Sequence, residues 1–537
     1  MHAFTNLISN KRIRAIIEIC ALLLCMVVAF TVCGSKQGFH EDEYYSYYSS
    51  NRTDGFWVEN DKLIDRQTIL NEFTVVDGQG DNYSLVKEVQ SWDVHPPIYY
   101  FILHFVCSRM PGVFNMWQGL GINLFCLGVS LVLMRWLMQI ILPDRPYIAL
   151  LTCMLWGMSG ATLSGVVFIR MYMLLTVWVL AVTILHAKEY IRIRDNGTGD
   201  NPIHISFYIE LAILTFLGFM THYYFFIWLF FLAVAFNFMN LIRTRKVRDI
   251  FIYGVTMVVA FGLCYVFYPA WPAQMFHGQR GAQATGNFVD VSNTLERLAF
   301  FGGIVNRIGF GGLLWIALLA LVVIICVKRG AGVSETSLML LCAGLGYFVI
   351  VSKTALMLGD SSIRYQMPIL GVVYVALVTA LVTSLGMSLG EQIKRIPMWL
   401  GITIGILLIV FNCVYAIKGN VSFLYPEEEM HREMLSAYPD AQVVYAYDSD
   451  PTATWCVWDS TDELLQSRDV FFMAGDQIYE ITDERMDVIG SHDQIILYVD
   501  NAVDPYDVIH IITAINPQIS TMEKLYDHKF CGVYICQ

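Results

Sequence analysis

Five short runs in this 537-residue chain carry residue types that can move a proton or hold an anion. His40-Glu41-Asp42-Glu43-Tyr44-Tyr45 offers carboxylates able to take a proton from a hydroxyl. Trp92-Asp93-Val94-His95-Pro96-Pro97 sets a carboxylate and an imidazole beside paired prolines, which fix the entry to a following helix. Arg170-Met171-Tyr172 and Thr221-His222-Tyr223-Tyr224 each fall in a short turn between apolar segments. The fifth run, Asp360-Ser361-Ser362-Ile363-Arg364-Tyr365-Gln366-Met367-Pro368, opens an apolar helix, with Lys353 a few residues earlier. There the Arg364 guanidinium and free backbone N–H groups would both favour a phosphate.

Each run also has a plainer reading. The first can be a solvated loop with interfacial tyrosines. Asp93 can simply cap a helix, Arg170 can snorkel to the interface, His222 can be a structural imidazole, and Asp360 can pair with Arg364. The argument for chemistry is collective: charge near hydrocarbon is costly, and a plain anchor would not need acids, imidazoles and arginines on five loops of one face.

The elements that must position these runs are membrane helices. The chain is 56% hydrophobic and 15% charged, with a mean hydropathy of +0.53, which excludes a purely soluble protein. Eleven apolar segments approach the roughly 20 residues that cross a bilayer: 13–33, 116–140, 147–168, 171–187, 205–221, 223–242, 250–269, 309–327, 337–357, 366–387 and 398–418. Ile98 to Val106 is apolar but too short to span, and reads as an interfacial or re-entrant helix.

With a cytoplasmic N-terminus, alternate loops are short and basic: Arg135 and Arg145; Lys188, Arg192 and Arg194; Arg243, Arg245, Lys246 and Arg248; Lys328 and Arg329; Lys394 and Arg395. That phase satisfies the positive-inside rule and sends loop 34–115, loop 270–308 and everything after about 419 outside. The first helix lacks a small-residue cleavage site and reads as an uncleaved anchor.

The net charge of −12 belongs to one segment. Residues 420–537 hold 22 of the 46 acids and five of the 34 bases, which argues against a nucleic-acid partner. Strand-like runs at Val443 to Tyr447, Val470 to Met473 and Ile495 to Val499, with a helical pattern over 505–515, make this tail a small α/β domain. The expected organisation is therefore an all-α membrane domain over 1–420, including the long outer loop 34–115, and an extracytoplasmic α/β domain over 421–537. Most of the 13 cysteines lie in apolar runs and read as core residues, although Cys531 and Cys536 could bridge on an oxidising face. Asn51-Arg52-Thr53, Asn82-Tyr83-Ser84 and Asn420-Val421-Ser422 match the glycosylation sequon, a pattern short enough to arise by chance.

Taken together, Asp42-Glu43, Asp93-Val94-His95-Pro96-Pro97, Arg170-Met171-Tyr172, Thr221-His222-Tyr223 and Arg364-Tyr365 resemble the pattern of the protein O-mannosyltransferase-like group (family 39) of membrane glycosyltransferases with the C-type (GT-C) fold. The resemblance covers roughly residues 10–420. It implies transfer of a sugar from a polyprenyl phosphate to an acceptor on the outer membrane face. Asp42, with Glu43 beside it, would be the base or acceptor-orienting group. Asp93 and His95 would shape the acceptor and phosphate pocket, Arg170, Tyr172, His222, Tyr223 and Tyr365 would line the substrate site, and Arg364 would meet the leaving phosphate. Tyr99 and Tyr100 stand where a lysine often follows the His-Pro-Pro run, and no β-trefoil is inserted, which brings the chain closer to bacterial members that modify lipids, cell-wall glycans or surface polymers. No cofactor is required by the spacing; a divalent metal, Mg²⁺ or Mn²⁺, could bridge Asp42 and the phosphate.

Two rival classes remain open at this point. A transporter or flippase for a lipid-linked or anionic substrate would place charges mid-helix, yet few besides Glu18 and Glu210 lie inside the spans. A sensing or adhesion module would concentrate function in residues 425–537.

Overall fold

The computed structural model describes residues 11–52, 58–196, 203–327, 332–389, 398–451 and 453–537. Of the loop residues used to orient the chain, Lys328, Arg329, Lys394 and Arg395 lie outside the described residues, as does Thr53 of one sequon. The chain forms two compact units, each assembled from separate stretches of sequence.

The first unit comprises the N-terminal segment to Gly34, Gln90–Tyr99 and Gly119–Ser422. Among the described residues, eight of its helices are long and apolar enough to cross a membrane, or ten when two bent pairs each count as one span. These account for ten of the eleven expected segments. The remaining one is the 15-residue helix Ile205–Phe219, shorter than a full crossing. Side chains such as Phe125, Phe251, Val258 and Val266 point outward with 71–77% of their surface exposed, which is stable where the surroundings are lipid rather than water. Helices suit that medium because they satisfy their backbone hydrogen bonds internally. The chain is a multi-pass membrane protein.

Two spans are broken, and the breaks shape the site. Pro146–Gly157 and Gly160–Val167 meet at 56°, where Ser159 Oγ accepts the Thr162 N–H at 3.3 Å and starts the second helix. Thr294–Gly309 and Leu314–Val327 meet at 99°. The corner there needs Gly311 and Gly312, both at positive φ (59° and 84°), and Asn306 Oδ1 accepts the Leu314 N–H at 3.0 Å to begin the next helix. At the centre of this unit runs Tyr172–Asp195, buried along most of its length.

The second unit comprises Ser35–Val89, Tyr100–Gln118 and Phe423–Gln537. Its sheet is built from β1 (Lys62–Asp65), β2 (Gln442–Tyr447), β3 (Asp469–Ala474), β4 (Ile495–Asp500), β5 (Met522–Asp527) and β6 (Cys531–Cys536). The strand order is β1-β3-β2-β4-β6-β5. β3, β2 and β4 are parallel, with Val444 opposite both Phe471 and Leu497. Being covered on both faces, β2 and β4 are buried at every position, which is why they read as unbroken apolar runs. Val444, Phe471, Leu497, Val508 and Ile512 form the core, the last two from helix Pro505–Ile515.

Loop 34–115 contributes β1, which pairs antiparallel with β3 through Leu63 opposite Phe471 and Ile64 opposite Val470. Only Ile64 of its four residues is buried, so the sequence offers no alternation long enough to reveal a strand. Cys531 and Cys536 are both free and sit at opposite ends of β6. At roughly 3.4 Å per residue they stand far beyond the reach of a disulfide, which corrects the bridge contemplated from sequence. The apolar run at 98–106 is a helix, Ile98–Cys107, of ten residues.

Candidate functional site

In the first unit, four of the five sequence runs converge. Asn123 Nδ2 donates to the carbonyls of Val166 (3.1 Å) and Phe168 (2.6 Å). That fixes the turn carrying Arg170, which is buried. Its guanidinium Nη2 lies 3.4 Å from both ring nitrogens of His95. On the other side, His95 Nδ1 stands 3.1 Å from Asp93 Oδ2. Carboxylate, imidazole and guanidinium thus form a chain, with His95 between Asp93 and Arg170.

Next to His95 stands His222, ring centroids 5.9 Å apart. His222 packs 5.5 Å from Tyr172, and Tyr172 packs edge-on against Tyr365 at 6.3 Å. Arg364 closes the series: its Nη2 donates to the Tyr365 hydroxyl at 3.1 Å, and its guanidinium lies over the Phe168 ring at 5.5 Å and the Tyr365 ring at 5.0 Å. Arg364 is the second residue of helix Ile363–Leu389, which continues the 3-10 turn Gly359–Ser362, whose Asp360 carbonyl accepts the Ile363 N–H. Asp360 is paired with Arg307 rather than with Arg364, and Lys353 is held by Asp290 O, Asn293 and Thr294.

The charge states follow from these contacts. Burial pushes the Asp93 carboxyl up, but the His95 hydrogen bond and charge, with the Arg170 charge, outweigh it and hold Asp93 below its ordinary 3.8. His222 is driven well below 6.5 by burial, then by the charges of His95 and Arg170. It is therefore neutral at pH 7, and its Nδ1 accepts the Tyr224 N–H at 3.0 Å. Two guanidiniums and a neutral imidazole make a site suited to a phosphate.

Sequence reasoning did not single out Gln274, which holds one wall of this cluster. Its Nε2 donates to the backbone oxygens of Asp93 (2.6 Å) and Gln90 (2.8 Å), while its Oε1 accepts the Tyr223 hydroxyl at 2.6 Å. Tyr223 thus reaches the Asp93 loop through Gln274. A lone glutamine in loop 270–308 carries no spacing signal. Phe168, the platform under Arg364, is one apolar residue among many.

The remaining run, around Asp42, belongs to the second unit. His40 caps helix Glu41–Asn51, accepting the Asp42 N–H on Nδ1 at 3.0 Å. Glu43 returns the capping box, accepting the His40 N–H at 2.6 Å. Glu43 also pairs with Lys36 Nζ at 3.0 Å, with both side chains fully buried, and Lys36 donates to Phe423 O at 2.7 Å. Asp42 keeps 29% of its side chain exposed, with its carboxylate 3.6 Å from His40 Nδ1. Of the two neighbouring carboxylates, one is committed to holding the helix and the other reaches solvent.

No family model matches the sequence, and no curated protein matches it. Among solved structures, the chain is similar to ArnT from Cupriavidus metallidurans bound to undecaprenyl phosphate, with 12% identity and a TM-score of 0.50 over 96% of this chain and 97% of that one. It is also similar to the Archaeoglobus fulgidus oligosaccharyltransferase, in a structure tethered to an acceptor peptide, with 11% identity and a TM-score of 0.48 over 96% of this chain and 74% of that one. At such identity the likeness to ArnT speaks for the fold: an all-α polytopic membrane domain of GT-C type with a C-terminal α/β domain.

Proposed function

We propose that the protein is a glycosyltransferase that moves a sugar from a polyprenyl-phosphate donor to an acceptor on the outer face of the membrane. The observation that carries this reading is the convergence of Asp93, His95, Arg170, Tyr172, His222, Arg364 and Tyr365 into one cluster with two buried guanidiniums. The solved structure with the same fold holds undecaprenyl phosphate, which supports a lipid phosphate as the anion.

In this reading Asp42 takes the proton from the acceptor hydroxyl. The acceptor oxygen forms its bond to the anomeric carbon as the bond from that carbon to the phosphate oxygen breaks, and the electron pair leaves with the polyprenyl phosphate. A phosphate is a good leaving group, so no general acid is needed; stabilising the departing charge is the larger task. Arg364 and Arg170 do this, Tyr172, His222 and Tyr365 line the site, and Asp93 with His95 holds Arg170 in place. Glu43 has a positioning role, fixing the helix that carries Asp42. Mg²⁺ or Mn²⁺ would be held there by Asp42 alone, since Glu43 is committed. One carboxylate fits an ion that takes its other oxygen ligands from phosphate and water. This reading puts the N-terminus in the cytoplasm and the α/β domain outside it, with the short helix Ile205–Phe219 crossing as an eleventh span so that the basic loops fall on one side.

The test is transfer of radiolabelled sugar from a panel of synthetic polyprenyl-phosphate sugars to membrane extracts, comparing the intact protein with Asp42→Asn and Arg364→Gln. Turnover in the intact protein that is lost in both variants, with folding retained, is expected. Should no donor be consumed while a control enzyme works, the glycosyltransferase reading fails and a transporter for a lipid-linked anion takes its place.

A further inference from the structure

The second unit also brings together two imidazoles and two carboxylates from three separate places in the chain. Glu428 and His431 lie three residues apart on helix Glu427–Ser436, so they share a face. Glu463 comes from the single turn Thr461–Leu464. His528 comes from the turn between β5 and β6. One ligand atom from each falls within 4.8 Å of all the others.

These atoms are not accounted for by hydrogen bonding. Glu428 Oε2, His431 Nδ1, Glu463 Oε1 and His528 Nε2 are all buried and without a hydrogen-bond partner. Glu463 is fully buried at its side chain and His431 is 7% exposed. His431 Nδ1 stands 3.5 Å from Glu428 Oε2 and 3.7 Å from Glu463 Oε1, too far for hydrogen bonds. His528 Nε2 is 3.0 Å from Glu463 Oε2 but off the line a ring N–H would need. Ligands bound at about 2.0–2.2 Å in a tetrahedron sit roughly 3.4 Å from one another. The two separations from His431 Nδ1, 3.5 and 3.7 Å, lie just above that edge, and all four ligand atoms fall within 4.8 Å of one another.

The surroundings hold the four groups in this arrangement. Glu463 Oε2 accepts hydroxyls from Tyr498 and Tyr526, both at 2.8 Å, which turns Oε1 toward the cluster. The His431 ring stacks on Tyr526 with centroids 3.9 Å apart and planes within 7°. Gly38 leaves space for Glu428: a Cβ there would stand 2.5 Å from Glu428 Cγ. Partners of this kind orient metal ligands and tune their basicity.

We infer that Glu428, His431, Glu463 and His528 form a structural Zn²⁺ site. Two nitrogens and two carboxylate oxygens suit zinc better than Mg²⁺ or Ca²⁺, which prefer six or more oxygens. Four protein ligands leave no open position for a water nucleophile, so the ion ties helix Glu427–Ser436, the 461–464 turn and the β5–β6 turn together. The site lies beside the segment that carries Asp42, with Gly38 against Glu428 and Lys529 paired with Glu41, but it shares no residue with the proposed transfer site and does not rest on the glycosyltransferase reading.

The test uses full-length, untagged protein in detergent, stripped with a chelator and dialysed against ZnCl₂. Elemental analysis is expected to find about one zinc per chain, and Co²⁺ is expected to give the intense visible bands of a tetrahedral site. His431→Gln and His528→Gln should each lose the metal, and Tyr526→Phe should bind it roughly tenfold to hundredfold more weakly. Glu428→Gln, at the rim of the cluster, tests the same site if the histidine variants fail to fold. Wild-type protein that retains well under one equivalent at saturating zinc overturns the proposal. So does zinc retained equally by the wild type and every variant that folds.

Discussion

Arg307 takes the carboxylate of Asp360, its Nη1 2.9 Å from Oδ2, while Arg364, four residues further along, lies over Phe168 and Tyr365. The acid nearest in sequence is thus occupied elsewhere, and the Arg364 guanidinium faces rings. Arg364→Gln is expected to lower sugar transfer by about 10²–10³, the cost of removing one preorganised donor to a developing oxyanion. Arg364→Lys should recover part of this, because it keeps the charge and loses the fork. Breaking the half-exposed pair with Arg307→Gln should leave transfer close to wild type. Steady-state kinetics with the synthetic donor separates the three.

Asp42 and Glu43 are adjacent but should fail in opposite ways. Glu43→Gln leaves the buried Lys36 ammonium without its counter-charge, and is expected to cost about 3–5 kcal/mol of stability. Asp42→Asn should melt as the wild type does and lose turnover. Thermal unfolding and transfer measured on the same preparations distinguish them; equal destabilisation by both would remove the division of labour argued above.

The neutral state of His222 makes the first unit acid-sensitive. Its folded value lies well below 6.5 because of burial and the facing charges of His95 and Arg170, with Tyr172 and Tyr224 as its ring neighbours. The unfolded chain therefore binds the proton first as pH falls. The contribution is whole above 6.5 and declines below it, by up to about 1.4 kcal/mol per pH unit. Melting curves between pH 7.5 and 5.5 should show a steeper decline for wild type than for His222→Gln. Asp93, also shifted down, begins to lose its contribution only as pH falls past about 3.8.

Gln274 holds the Asp93 loop through two backbone oxygens and ties it to Tyr223. Gln274→Leu removes these bonds and leaves buried acceptors unpaired, costing roughly 1–3 kcal/mol. Transfer should fall with it, while Gln274→Glu, which can still accept from Tyr223, should restore the Tyr223 contact and not the two donated bonds. A drop in transfer for Gln274→Leu without any change in melting would show that Gln274 acts on the substrate directly.

The sequence by itself determined that this is a multi-pass helical protein with a small α/β domain, and located ten of its spans and the strands β2, β3 and β4. Those features rest on local patterns, since a span needs a long apolar run and a strand covered on both faces needs an unbroken short one. It also marked Asp93, His95, Arg170, Tyr172, His222, Arg364 and Tyr365, because charged and aromatic residues at the ends of apolar helices stand out. What only the tertiary structure decided is which residues meet. Asp360 finds Arg307 rather than Arg364, Glu43 is used by Lys36 and the His40 cap, and β1 reaches β3 across some 400 residues of sequence. Glu428 and His431 carry a weak spacing signal, but Glu463 and His528 join them only through the sheet that Tyr498 and Tyr526 help to build. Pairings of this kind depend on long-range closure of the chain, and nothing in the spacing of a residue records its distant partner.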